Sequence, residues 1–262
     1  MFSLPLFCRA LGVVFSALSA LLPDSSLCAV THSVGFGPTV YHYDRERDGN
    51  THQSGTLVGV EGDYRGGCSW GLSWEVRAWE AWGDLHGENG AGDPLKSQMD
   101  DREIWGTLGY NLGYCFNRGR LVVTPFAGYG DYRGENKFRS PSPLEVTFKD
   151  RFDLIIAGGR VEWQDCNWGD WGFEGMAKWM VEGKRRIEGD PLIGDLEQIM
   201  GNATHWEWSL YCRMRPFRWF PTLFGRLFWR NRVYGEQINY PFDFRRSEIS
   251  IYGVSIRAEK CF

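Results

Sequence analysis

Net charge is nearly missing from this 262-residue chain: 29 Lys and Arg stand against 33 Asp and Glu. A nucleic-acid surface carries a basic patch or stripe, and no such excess is present. Long apolar runs are scarce as well. A transmembrane helix needs ~20 predominantly apolar residues; the one extended run is N-terminal, so a helical membrane bundle is excluded. No Cys-x-x-Cys or Cys/His spacing of a metal site occurs, and no repeat, coiled coil or low-complexity tract is visible. Neither cofactor nor metal is implied. What is abundant is glycine, 33 residues where ~7% is usual, and tryptophan, with 13 residues. That composition argues against a helix-dominated protein.

Residues 1–29 read as an export segment. Arg9 precedes the apolar stretch Ala10 to Leu22, which Pro23 ends, and the small-residue site Ser26-Leu27-Cys28-Ala29 follows. These are the charged, apolar and cleavage regions of a signal peptide. Removal after Cys28 or Ala29 leaves residues 30–262 as a single domain in an oxidising compartment.

The mature chain alternates apolar and polar residues with period two, the pattern of strands. Val34, Phe36 and Val40 share one face, then Thr56, Val58, Val60 and Tyr64. Trp70, Leu72, Trp74, Val76 and Ala78 follow, then Ile104, Leu108, Tyr110, Leu112 and Tyr114. Leu121, Val123, Ala127 and Tyr129 continue it, then Ile155, Ala157, Val161 and Trp163. Trp171, Phe173, Ala177, Trp179 and Val181 form the next face, and Trp206, Trp208 and Leu210 another. Leu223, Leu227 and Trp229 compete with Phe224 and Phe228 in the opposite phase. Tyr252, Val254, Ile256, Ala258 and Phe262 close the chain.

About ten strands result, and their connections alternate in length. Residues 43–56, 83–102, 133–151, 184–203 and 236–245 read as long polar loops; 65–69, 116–120, 164–170 and 218–221 read as tight turns. An even-stranded antiparallel barrel in a membrane has this asymmetry, with short turns on the periplasmic side. Opposite the apolar stripes lie Glu61, Glu75, Arg77, Glu174, Lys178, Glu207, Arg213, Arg257 and Glu259, with Asp63, Glu103, Arg160, Arg226 and Arg230 on the same faces. Lipid puts the apolar face outside and the charges in the lumen, with aromatics at both interfaces. Tyr64, Trp70, Tyr114, Trp163 and Phe262 suit the short-turn girdle, and Tyr41, Trp79, Tyr129 and Trp179 the long-loop girdle. Closure satisfies every backbone group without water. The fold class is therefore all-β, a transmembrane antiparallel up-and-down barrel.

This pattern resembles the bacterial outer-membrane β-barrels over essentially the whole mature chain. The terminal Phe262, with apolar residues at alternate positions before it, resembles the assembly signal of that class, although Lys260 departs from it. The resemblance implies the cell outer membrane, with its lipid and the barrel assembly machinery as partners. Ten-stranded members include omptin proteases and adhesins, so strand number selects no function.

Five cysteines remain in the mature chain: Cys68, Cys115, Cys166, Cys212 and Cys261. All map toward the short-turn end. A disulfide needs Cα atoms within about 7 Å, and adjacent strands lie ~4.8 Å apart. The spacing sets Cys68 beside Cys115, gives Cys166 a harder reach to Cys212, and leaves Cys261 over for an intermolecular bridge or a free thiol. Buried filler is the other role open to such residues. Cysteine placement of this sort resembles chlamydial outer-membrane proteins, which implies disulfide links to other envelope proteins.

Two hydrolase-like constellations occur in the sequence. His52-Gln53-Ser54 has the His-x-Ser spacing of outer-membrane lipid hydrolases but no evident Asn or Glu orienter. Asp84, His86, Asp100 and Asp101 could supply an omptin-like rim, yet Ala203 stands where an Asp-x-His motif ending at His205 would need its acid. Ten strands leave a narrow interior that long side chains of both signs would fill. The expected function is a largely occluded barrel with a structural or surface-interaction role. A narrow porin-like channel and an omptin-like or lipid-acting hydrolase are the alternatives.

Overall fold

A computed structural model describes residues 30–68, 71–116, 119–165, 169–191, 194–214, 221–238 and 243–262. The export segment 1–29, Trp70 and Cys166 lie outside them. The strands are β1 (Val30–Arg47), β2 (Thr51–Cys68), β3 (Gly71–Glu88), β4 (Pro94–Phe116), β5 (Gly119–Arg139), β6 (Thr147–Asp165), β7 (Gly169–Asp190), β8 (Gly194–Ile199), β9 (Ala203–Met214), β10 (Thr222–Tyr234), β11 (Gln237–Ile238), β12 (Asp243–Phe244) and β13 (Ser247–Cys261). Ten of them close a ring. β1 to β7 pair in sequence order, β7 pairs β9, β9 pairs β10, β10 pairs β13, and β13 returns to β1, every pair antiparallel. Val40 sets the register at the closing seam, lying opposite both Val58 and Val254. A closed ring has no free edge, so every strand's backbone finds a partner in lipid.

β8 folds back on the upper half of β7, with Lys184 opposite Ile199, and β11–β12 is a small ladder apart from the barrel. One bulge interrupts β6–β7, where Asp153 faces Glu182 but Leu154 faces Met180.

The apolar stripes face outward. Phe36, Val58, Leu108, Ile155, Leu210, Leu227 and Ile256 are exposed, whereas Glu61, Arg77, Glu174 and Arg257 are buried inside. The contested phase of β10 resolves with Leu227 outward and Phe224 and Phe228 inward. Tyr129 and Trp179 stand exposed on the outer surface.

Three expectations need correction. The long loops are mostly strand. β1 and β2 stay paired up to Arg47–Thr51, and β3 and β4 up to Glu88–Pro94. The turn of the first hairpin is residues 48–50, where Gly49 (φ 94°) and Asn50 (φ 59°) take the left-handed conformation that these two residue types tolerate. Eighteen residues at ~3.4 Å each far exceed an apolar band of ~25 Å. Accordingly, the outward residues of β1 turn polar after Val40, at His42, Asp44 and Glu46, where the hairpins leave the bilayer. Outside lipid neither face need be apolar, so these segments read as loop.

Second, Tyr41 and Trp79 are not girdle residues. Both are buried in the interior and meet edge to face at 5.9 Å. Tyr64 is also buried, although its strand phase is outward, because His32 covers it with a 2.7 Å Nδ1–OH hydrogen bond and a parallel ring. Third, Cys68 and Cys115 are not neighbours. Cys68 ends β2 opposite Val30, Cys115 lies near the end of β4, and β3 runs between them. No disulfide joins Cys68, Cys115, Cys212 and Cys261 to one another.

Candidate functional site

Inward-facing positions of ten strands converge on a narrow axis, so long charged side chains from opposite walls must meet. Nine basic groups (Arg65, Arg77, Arg160, Lys178, Arg213, Arg226, Arg230, Arg232 and Arg257) interlock with nine acidic ones (Glu61, Asp63, Glu75, Asp101, Glu103, Glu162, Glu174, Glu207 and Glu259). At the middle level, Glu61 accepts from Arg226 at 3.0 Å and from Arg257 at 2.8 Å. Arg77 donates to Glu75 at 2.7 Å and to Glu174 at 3.0 Å, and Arg160 ties the same two carboxylates from the far wall. Glu207 gathers Lys178 at 3.0 Å, Arg226 at 3.1 Å and Arg230 at 3.1 Å. Lys178 also reaches Glu103.

Toward the lower rim, Arg213 spans Glu259 at 2.8 Å, Glu162 at 3.4 Å and Asp170 at 3.2 Å. Aromatic faces fill the gaps between guanidinium groups. Arg257 lies 4.1 Å from the Phe224 ring centroid, Arg230 4.3 Å from Phe228, and Arg77 4.6 Å from Trp105. Such cation–π contacts gain when desolvated. An isolated buried charge is costly, but one whose donors and acceptors are matched is tolerated.

Above this network the interior becomes apolar. Tyr41, Tyr43, Leu57, Trp79, Leu85, Tyr132, Phe152, Tyr234 and Ile251 form one buried cluster across the barrel. Polar-in alternation does not foresee this layer. It occupies the height where the outer face also turns polar, so interior packing there resembles a soluble core. Asp101 and Arg232 are charges embedded in it, Asp101 accepting from Tyr41 Oη at 2.7 Å and Arg232 Nη1 at 3.1 Å.

Every network residue named from the sequence lies in this interior, Glu259 and Arg213 at its lower end. The sequence reading places Asp101 at the rim, although it belongs to the network, and it misses Arg65, Glu162 and Arg232. Arg65 reads as a turn and Arg232 lies beyond the apolar stripe of β10. Strict alternation carried further along β2, β6 and β10 reaches all three.

The hydrolase residues do not assemble. His52 Nε2 is bonded to Asp44 Oδ1 at 2.7 Å, on the exposed side of the first hairpin. Asp84 and His86 are exposed on the outer face of β3, while Leu85 between them points inward. Asp101 faces the interior, and His205 is buried among Tyr132, Phe152 and Tyr234. The wall therefore divides the omptin-like candidates, with Asp84 and His86 on its outer face and Asp101 and His205 inside. Among the described residues, no group of His, Cys, Asp and Glu is arranged to hold a metal ion.

No protein-family model and no curated protein matches the sequence. Solved structures do match. The outer-membrane protease OmpT from Escherichia coli is similar at a TM-score of 0.54 with 9% identity, over 92% of this chain and 99% of that one. The translocator domain of the autotransporter NalP from Neisseria meningitidis gives a TM-score of 0.43 with 10% identity, over 95% of each chain. At such identity the likeness to OmpT concerns the fold alone. The chain has the closed ten-stranded fold of the bacterial outer-membrane β-barrels, with an apolar belt that fits it to the cell outer membrane.

Proposed function

We propose that this protein is a sealed outer-membrane barrel with a structural or surface-interaction role, linked to envelope neighbours through thiols at its lower rim. The observation that carries this reading is the interior: matched charges from every wall, roofed by buried aromatics. Water-filled porins have ~16–18 strands, and ten enclose far less. The exposed Cys115 and Cys261 favour the cross-linking part. A small hydrophobic filler would be buried. The extended polar hairpins of β1–β2 and β3–β4 supply a surface for contact beyond the bilayer.

Proteoliposomes carrying folded residues 30–262 test the reading by swelling in small sugars, with and without reductant. Sealed vesicles in both conditions support it. Swelling that tracks protein content would replace it with a channel.

A further inference from the structure

Beyond the bilayer, the hairpins enclose a vestibule of about 290 Å³ above the aromatic layer. Its lining is mixed in kind. Arg45 and Arg47 of β1, with Thr51 and Gln53 of β2, are its polar part; Leu95, Phe138, Leu144 and Phe148 are its apolar part. A narrower recess sharing Arg45, Phe148 and Arg185 runs inward to Asn136 and Asp150.

Cations dominate here. Arg45, Arg47 and Arg185 all reach the cavity, and Asp150 is the one carboxylate among the lining residues. That carboxylate is already taken by Arg185 in a two-point pair at 2.5 Å and 2.5 Å. Arg45 Nε is buried without a hydrogen-bond partner, as are both amide atoms of Asn136, which is 5% exposed. Burial, with the neighbouring guanidinium groups of Arg45 and Arg185, pushes Arg47 down to about 9. Clustered cations and unmet donors beside an apolar wall are complementary to an anion with an apolar tail. A guanidinium fork matches the geometry of a carboxylate.

We propose that this vestibule binds a small amphiphilic carboxylate, its head on Arg45 and Arg47 and its chain or ring against Phe138 and Phe148. The volume lies at the lower edge of small-molecule pockets, ~300–1,000 Å³. It admits a medium chain or a single ring but no diacyl lipid, so the ligand is a soluble one. The site lies above the charged network and does not depend on the lumen being sealed.

Calorimetric titration of octanoate into folded residues 30–262 in phosphatidylcholine nanodiscs tests this, with empty nanodiscs subtracted. Octanol, which lacks the charge, and acetate, which lacks the chain, are the comparators. The expected result is saturable 1:1 binding of octanoate, with octanol and acetate each weaker by about tenfold or more. Arg45→Gln should weaken octanoate by about tenfold, the scale of one lost charged hydrogen bond. Leu144→Asp alters the exposed rim of the apolar wall, and should weaken octanoate without disturbing assembly, which heat-modifiable gel mobility reports. Octanol binding as tightly as octanoate, heats equal to those of empty nanodiscs, or an octanoate affinity untouched by both substitutions would each overturn the proposal.

Discussion

Replacing Glu207 with Gln keeps the shape of the side chain and removes only its charge. In the folded barrel Glu207 is buried and lies 3.0 Å from Lys178, 3.1 Å from Arg226 and 3.1 Å from Arg230. Lys178 retains Glu103, and Arg226 retains Glu61 at 3.0 Å. Arg230 keeps its cation–π contacts with Trp79 at 4.5 Å and Phe228 at 4.3 Å, which do not neutralise it. One positive charge is then left uncompensated in a low-dielectric interior, and breaking a buried pair in this way costs about 3–5 kcal/mol. Arg230→Met in the same background restores neutrality at similar volume. The double variant should recover at least about 2 kcal/mol relative to the sum of the single changes. Urea unfolding in phosphatidylcholine vesicles, followed by the fluorescence of the 13 Trp residues, measures both quantities. A single-variant cost below about 1 kcal/mol, or strict additivity in the double, would mean that the interior is wet and the charges are screened. The reasoning about a dry plug would then fail.

Other outcomes follow from the same geometry. Leu227→Arg, on the lipid face at 61% exposure, should cost about 2–4 kcal/mol in vesicles; a neutral effect would place this face outside lipid. A Cβ at Gly37 would stand 2.0 Å from the Ile256 carbonyl oxygen across the closing seam, whereas one at Gly62 meets nothing nearer than 3.4 Å. Gly37→Ala should therefore cost about 1–3 kcal/mol and slow formation of the heat-modifiable band, with Gly62→Ala as the silent comparator; equal behaviour of the two would contradict the β1–β13 register. Reducible oligomers on non-reducing gels of oxidised envelopes should vanish in the Cys115→Ser, Cys261→Ser double variant, and their persistence would assign the link to other thiols.

Strand phase was legible where lipid demands an apolar face. Leu210, Leu227 and Ile256 could be oriented from alternation alone, and Glu61 and Arg257 followed as their opposites. Beyond the bilayer that demand ends, so the paired upper halves of β1 to β4 look like loops. Tyr41 and Trp79 show a second limit: an aromatic ring suits an interface and a packed interior equally, and only its parity with Thr39 and Arg77 tells which. Partnership was the least legible feature. Arg257 and Glu61 are 196 residues apart in sequence, and which cation meets which anion depends on barrel diameter and strand stagger. Cys68 illustrates the cost of a boundary error: spacing sets it beside Cys115, but it ends β2, and β3 separates the two.

The most direct test of a sealed interior is single-channel recording of folded residues 30–262 in a planar bilayer, beside a variant whose plug is shortened by Glu61→Ala, Arg77→Ala, Glu207→Ala and Arg226→Ala. The four changes remove two charges of each sign and open the middle level of the network. The native barrel should stay silent while the shortened one shows discrete steps. Reproducible steps from the native barrel at the same protein density would contradict the account.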